Sequence, residues 1–196
     1  MTTDQRTART YLYAIMLTGF AATGLYGVGG FSLEGLDSAL RSTGRVAFLV
    51  LITAFAARPL QDLLRKPWTA KLLRNRRQLG VAFAGIHTGH LVFILYKVYL
   101  LPDLALVDII SHSGIVVYGF ILAMLVTSFQ GPARAIGPTA WKVLHKLGLY
   151  VLFVAFLVSQ VPRTLDALEL INAILIGLAL LAIAARVAAF IQRQRR

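Results

Sequence analysis

The chain has 196 residues, of which 58% are hydrophobic and 14% charged, with a mean hydropathy of +0.72. Soluble domains are nearer half apolar and a quarter charged, so this composition describes one membrane domain over residues 1–196, with little left for a separate soluble domain. There is no cysteine, which excludes disulfides, thiolate metal sites and iron–sulfur clusters and leaves histidine, carboxylate and methionine as ligands. The net charge of +12 is carried at the ends of apolar segments. That distribution fits charges that orient helices in a bilayer and attract anionic lipid, and it argues against nucleic acid as a partner.

A spanning helix needs about 20 mainly apolar residues, and the sequence offers six candidates. They are Tyr11–Phe31, Arg45–Leu60, Leu79–Leu101, Leu106–Phe129, Trp141–Val161 and Ala167–Ile191. An all-α, polytopic bundle follows. The first apolar stretch is longer than a signal-peptide core and carries five glycines between 19 and 30, which suit close helix packing rather than cleavage. The second candidate is the weakest. It spans only if Leu36–Gly44 begins the same helix; otherwise it is an interfacial or re-entrant helix. The segment Arg58–Gln78 reads as the most basic loop, and Gly131–Pro138, with two prolines and two glycines, as a break between the fourth and fifth helices.

Placing the N-terminus inside puts 16 of the 20 bases on the cytoplasmic side, leaving Arg41, Arg45, Lys97 and Arg163 outside with six of the eight acids. This positive-inside asymmetry requires an even number of spans and places both termini in the cytoplasm. The implied location is the bacterial inner membrane.

All four histidines fall in or at the edge of apolar segments: His87 and His90 in the third, His112 in the fourth and His145 in the fifth. An ionisable group at membrane depth marks a functional site by default, and neutral imidazole is the usual protein ligand of heme iron. At a rise of about 1.5 Å per residue, His87 and His90 lie roughly 12 and 16 Å from the inner end. On the same scale His145 lies roughly 6 Å from that end, and His112 roughly 9 Å from the outer one. His87 and His90 share a helix face. His87 with His145 gives the smaller depth mismatch for a heme held between two helices. His90 with His145, and His90 with His112 nearer the outside, are the alternatives. Two hemes ligated from 87 and 90 would crowd each other, which favours one. Against all of these stands the plain reading, in which a membrane histidine only hydrogen-bonds across helices; His112, nearest the interface, suits that best.

Two stretches carry a family resemblance. Arg76-Arg77-Gln78-Leu79-Gly80 is followed ten residues after the glycine by His90, and Thr127-Ser128 precedes Trp141-Lys-Val-Leu-His145. Over residues 45–161 this resembles the ferric reductase-like transmembrane domain, in particular the heme-binding membrane subunit of bacterial methionine sulfoxide reductase systems. The resemblance implies heme-associated roles for His90 and His145. It also implies a flavin- or quinone-linked role for Arg76 and Arg77, whose charges at a helix start suit a phosphate or an anionic semiquinone. The family has a further histidine thirteen residues after the one matched by His145; here that position is Val158.

These readings converge on a heme b-binding electron-transfer protein. It would take electrons from a cytoplasmic flavin or quinol donor and pass them to a membrane or periplasmic acceptor. No nucleotide-binding motif is visible, so the donor is a partner protein or a small carrier such as a quinone. A transition-metal transporter or sensor built on His87, His90 and His112 is one alternative, and a membrane scaffold with a lost heme site, suggested by Val158, is another. No nucleophile arrangement or paired carboxylates support a hydrolase; Ser111-His112-Ser113 has no orienting acid at depth.

Overall fold

The computed structural model describes residues 2–101, 112–167 and 169–195, with side chains described for all of these except 112–113 and 161–167. Seven helices make up the described chain: α1 (Thr3–Val28), α2 (Leu33–Leu64), α3 (Pro67–Arg74), α4 (Arg76–Leu100), α5 (His112–Val126), α6 (Gln130–Ala167) and α7 (Leu170–Gln194). Five of them, α1, α2, α4, α6 and α7, are long and apolar enough to cross a membrane, and α5 adds a shorter apolar helix. The chain is a multi-pass, all-helical membrane protein. The start of the predicted fourth segment, residues 106–111, lies outside the described residues, as do the side chains of His112, Arg163 and Asp166.

The weak second segment resolves into one 32-residue helix, with Leu36–Gly44 as its first part. Ser32 caps it by accepting from the Gly35 amide at 3.1 Å. The polar residues that break its hydropathy have partners: Arg45 donates to Asn172 at 3.0 Å and pairs with Glu169, while Lys97 pairs with Asp37. The basic stretch expected as a loop is largely helical, since α2 runs on to Leu64 and Pro67 opens α3 at a first-turn position that needs no amide donor. The break expected over Gly131–Pro138 narrows to one residue, Gly137, whose φ of +77° kinks an otherwise helical segment.

α2 runs through the middle of the bundle, against α1, α4, α6 and α7, while α5 lies on α6. α1 meets α4 through small residues: a Cβ on Gly85 would stand 2.6 Å from that of Ala14, so only glycine permits the approach. Tyr11 and Thr88 share a 2.8 Å hydrogen bond in the same seam. Two ends are defined by ion pairs. At one, Asp4 of α1 pairs with Arg77 and accepts from the Gln130 amide, and Arg193 pairs with Asp62. This is the basic end. The Arg45–Glu169 and Lys97–Asp37 pairs mark the other.

Between the ends the core is aromatic. Phe55 and Phe153 stack at 4.0 Å, Phe48 and Phe156 at 5.6 Å, and Phe83 meets Phe156 edge-on at 5.8 Å. Phe48, Phe55, Phe83 and Phe153 are all at most 3% exposed. Such offset and edge contacts add to simple area burial.

Candidate functional site

At the basic end the helices do not close. A cavity of about 360 Å³ lies between α2, α4, α5, α6 and α7, within the size range of small-molecule sites. Its inner wall is apolar, with Leu51, Phe83, Ile121, Met124, Leu149 and Leu152. Toward the basic end the wall carries, among the described residues, six cations, Arg58, Arg76, Arg77, Lys142, Lys146 and Arg186, and no carboxylate. Arg58 pairs with Asp62 at 3.3 Å and Arg77 with Asp4 at 3.8 Å. Among the described residues the other four have no ion pair.

His145 stands in the cavity wall, and its surroundings follow from local sequence. Trp141, one turn earlier on the same face of α6, stacks on the imidazole at 4.2 Å and 26°. The Trp141 indole donates to the Thr127 carbonyl at 2.8 Å, satisfying a backbone acceptor just past the end of α5. Thr127 gives its own hydroxyl proton to the Ala123 carbonyl at 2.7 Å, so it accepts from His145 Nε2 at 3.0 Å. This network assigns the His145 proton to Nε2 and leaves the lone pair on Nδ1. Three residues of the sequence motifs, Thr127, Trp141 and His145, thus form one hydrogen-bonded unit.

His87 and His90 lie further along α4. Their rings are 5.7 Å apart. His87 is 4% exposed, enclosed by Phe83 at 4.6 Å, Phe156 at 5.1 Å and Tyr118 at 5.9 Å. Among the described residues no hydrogen bond of normal geometry reaches its buried Nδ1 or the Tyr118 hydroxyl. Phe83 lines the cavity on one side and stacks on His87 on the other. His90 turns toward α2, where Thr43 hydrogen-bonds its Nδ1 at 2.8 Å. The Thr43 hydroxyl also reaches the Ala39 carbonyl at 2.9 Å, so the imidazole is the donor and Nδ1 carries its proton. Arg76 and Arg77 join His145 at the cavity; His87 and His90 do not line it. Among the described residues no three histidine or carboxylate side chains cluster as a metal site would need.

Val158, where the resembling family carries a histidine, is 64% exposed on the outside of α6, whereas Phe156 and Gln160 face inward; Phe156 fills the space beside His87. The cations Arg58, Lys142, Lys146 and Arg186, with Trp141 and Tyr150, belong to the site and were not singled out from sequence. The four cations follow the charge bias of the basic end, where a topological charge and a site charge look alike.

A model of the ferric reductase like transmembrane component matches residues 43–157, more than half of the 196-residue chain. The chain belongs to this family. Within it, the chain is 35% identical over 109 residues to the protein-methionine-sulfoxide reductase heme-binding subunit MsrQ of Cronobacter sakazakii, covering 53% of this chain and 52% of that one. Its similarity to the protein of the same name from Deinococcus radiodurans is 27% over 123 residues, covering 61% and 59%. The chain thus spans between half and three fifths of the length of these curated relatives. No solved structure matches. The family segment begins at Thr43, the partner of His90, and ends just past Phe156. It includes all of α4 and α5 and leaves out α1 and α7.

Proposed function

We propose that this chain is a heme-binding electron-transfer subunit of the bacterial inner membrane, with the cavity at the basic end as its cofactor site. One observation carries the reading: an apolar pocket with an imidazole in its wall and, among the described residues, six cations with no carboxylate at its rim. A b-type heme has the matching character, a flat apolar ring that seeks a nitrogen ligand and two carboxylates that seek cations. The family membership and the names of the relatives point the same way.

His145 would ligate the iron from α6, exchanging its Nε2 contact with Thr127 for the metal or presenting Nδ1 directly. α4 would supply a second ligand. His87 is favoured because it follows Gly80, Phe83 and Ala84 on the helix face that lines the cavity. His90, oriented by Thr43, is the alternative from the same helix and the one matched to the family motif. Arg76 and Arg77 would meet an anionic group at the donor side. A bound heme would supply a one-electron couple between donor and acceptor. The protein's part is to exclude water with the phenylalanine core, to hold the imidazoles and to neutralise the carboxylates.

With the basic end in the cytoplasm, as charge asymmetry directs, the donor is a cytoplasmic flavin, quinol or flavoprotein, and the acceptor is a membrane or periplasmic protein or quinone. Purified from heme-replete cells, the protein is expected to be red, with a Soret band that sharpens on dithionite. A colourless, iron-free preparation would sink the reading.

A further inference from the structure

Arg186 is the cavity's one lining residue from α7, a helix that lies outside the family-matched segment. Its position has a specific cause on α2. Pro59 sits inside that helix and has no amide proton, so the carbonyl four residues earlier, Phe55, loses its helical donor. Arg186 Nη2 donates to that carbonyl at 2.7 Å. Nη1 donates to the Tyr150 hydroxyl at 2.7 Å, and the guanidinium lies 3.8 Å from the Phe55 ring centroid. A proline-freed carbonyl, a phenol and an aromatic face from α2 and α6 thus fix the plane of a guanidinium contributed by α7.

The fixed group is not neutralised. A guanidinium has five N–H donors. Among the described residues two are used, both on uncharged acceptors, and the buried Nε has no partner. Arg186 has no ion pair among the described residues. A charge at this depth of an apolar helix is costly unless it has an anionic counterpart or a function. The other charged residues that line the cavity are cations too, Arg58, Arg76, Arg77, Lys142 and Lys146. A structural pin between α2 and α7 would not need to face a cavity lined by cations.

We propose that Arg186 is the anion-recognition residue of this cavity, held by the Phe55 carbonyl and Tyr150 so that it pairs with a carboxylate or phosphate of the flat ligand. The inference rests on the cavity being the cofactor site. A propionate of heme and the phosphate of a flavin mononucleotide share this chemistry, and matched neutral compounds separate them.

The test uses the full chain, purified in detergent and freed of bound cofactor. Binding is followed by quenching of tryptophan fluorescence, since Trp141 lies in the cavity wall. The probes are hemin against its dimethyl ester, and flavin mononucleotide against riboflavin. Wild type is expected to prefer the charged member of one pair by about tenfold or more, the scale of a charge-assisted hydrogen bond. Arg186→Leu should erase that preference while neutral-probe binding stays put. Arg186→Lys should keep part of it, because the ammonium lacks the planar fork. Pro59→Ala returns a helical donor to the Phe55 carbonyl, and should weaken the preference without unfolding α2; with Arg186→Lys it carries the test if Arg186→Leu does not fold.

Equal binding of charged and neutral probes by wild type would overturn the inference. So would a preference that survives Arg186→Leu, or a loss that strikes charged and neutral probes alike, the mark of a merely structural arginine. Hemin binding without charge preference leaves the heme reading standing and removes this one. A flavin-phosphate preference with no hemin binding does the reverse. Binding of neither hemin nor flavin mononucleotide removes both.

Discussion

The two halves of the bundle hold the same kind of residue in opposite surroundings. At the basic end, His145 stands in the wall of an open cavity with cations around it. Toward the middle, His87 and His90 lie beside a closed aromatic layer in which Phe156 and Phe83 contact His87 directly. An imidazole in a cavity wall has volume beside it for a cofactor, whereas His87 would reach that cofactor only if Phe83, which lies between its ring and the cavity, moved aside. The comparison teaches that membrane depth and histidine count alone do not locate a heme. The space beside each ring and the charge at the rim decide where one fits.

The largest effect should come from removing the cavity imidazole. His145→Ala is expected to abolish the Soret band and the bound iron, measured on purified protein. His87→Ala should leave heme bound but change its absorption spectrum, since His87 would be the second of two imidazoles holding it. An unchanged spectrum in His87→Ala, together with a changed one in His90→Ala, would move the second ligand to the family-matched residue.

The packed half should be where stability resides. Phe153→Ala removes a 2%-exposed ring stacked on Phe55 and is expected to cost about 3–5 kcal/mol, as large-to-small core changes do. Met124→Ala, at the rim of existing empty space, should cost less than half of that; thermal unfolding in detergent compares the two. Similar losses at both sites would remove the distinction between packed and open halves.

Gly80 lines the cavity, and a Cβ there would meet nothing within 4 Å. Gly80→Leu should therefore fold normally and lower hemin affinity about tenfold by filling the pocket, an effect on the scale of a kcal/mol or two. Titration of hemin into the cofactor-free protein reads this out. The smallest change is expected from Thr127→Val, which removes the acceptor of His145 Nε2 while keeping the side chain's size. Hemin binding should shift by no more than about threefold, and upward, since the imidazole no longer has to break that bond. A large loss would mean that Thr127 orients the ligand rather than competing with the iron.

Much of this was legible in the chain. The apolar runs located the helices because a bilayer leaves the backbone no other regular way to satisfy its hydrogen bonds. The Trp141-Lys-Val-Leu-His145 stretch was legible as a family motif, and the structure stacks its tryptophan on its histidine. The continuity of α2 was harder to read, because Arg41, Gly44 and Arg45 interrupt its hydropathy. What restores the helix is a partner far away in sequence, the Arg45 contact with Asn172 and Glu169. Arg186 was hidden for the same reason. Its setting depends on an amide that Pro59 lacks, and only the packing of α7 against α2 reveals it. Lys142 and Lys146 follow the general charge bias of their end, so nothing in the sequence separates their topological role from their place at the cavity rim.

Pyridine hemochrome stoichiometry on the purified full chain tests the central claim most directly. One open cavity beside one imidazole predicts close to one heme b per chain. An iron-free protein would contradict the cofactor site, and two hemes per chain would contradict the closed aromatic half on which the comparison stands.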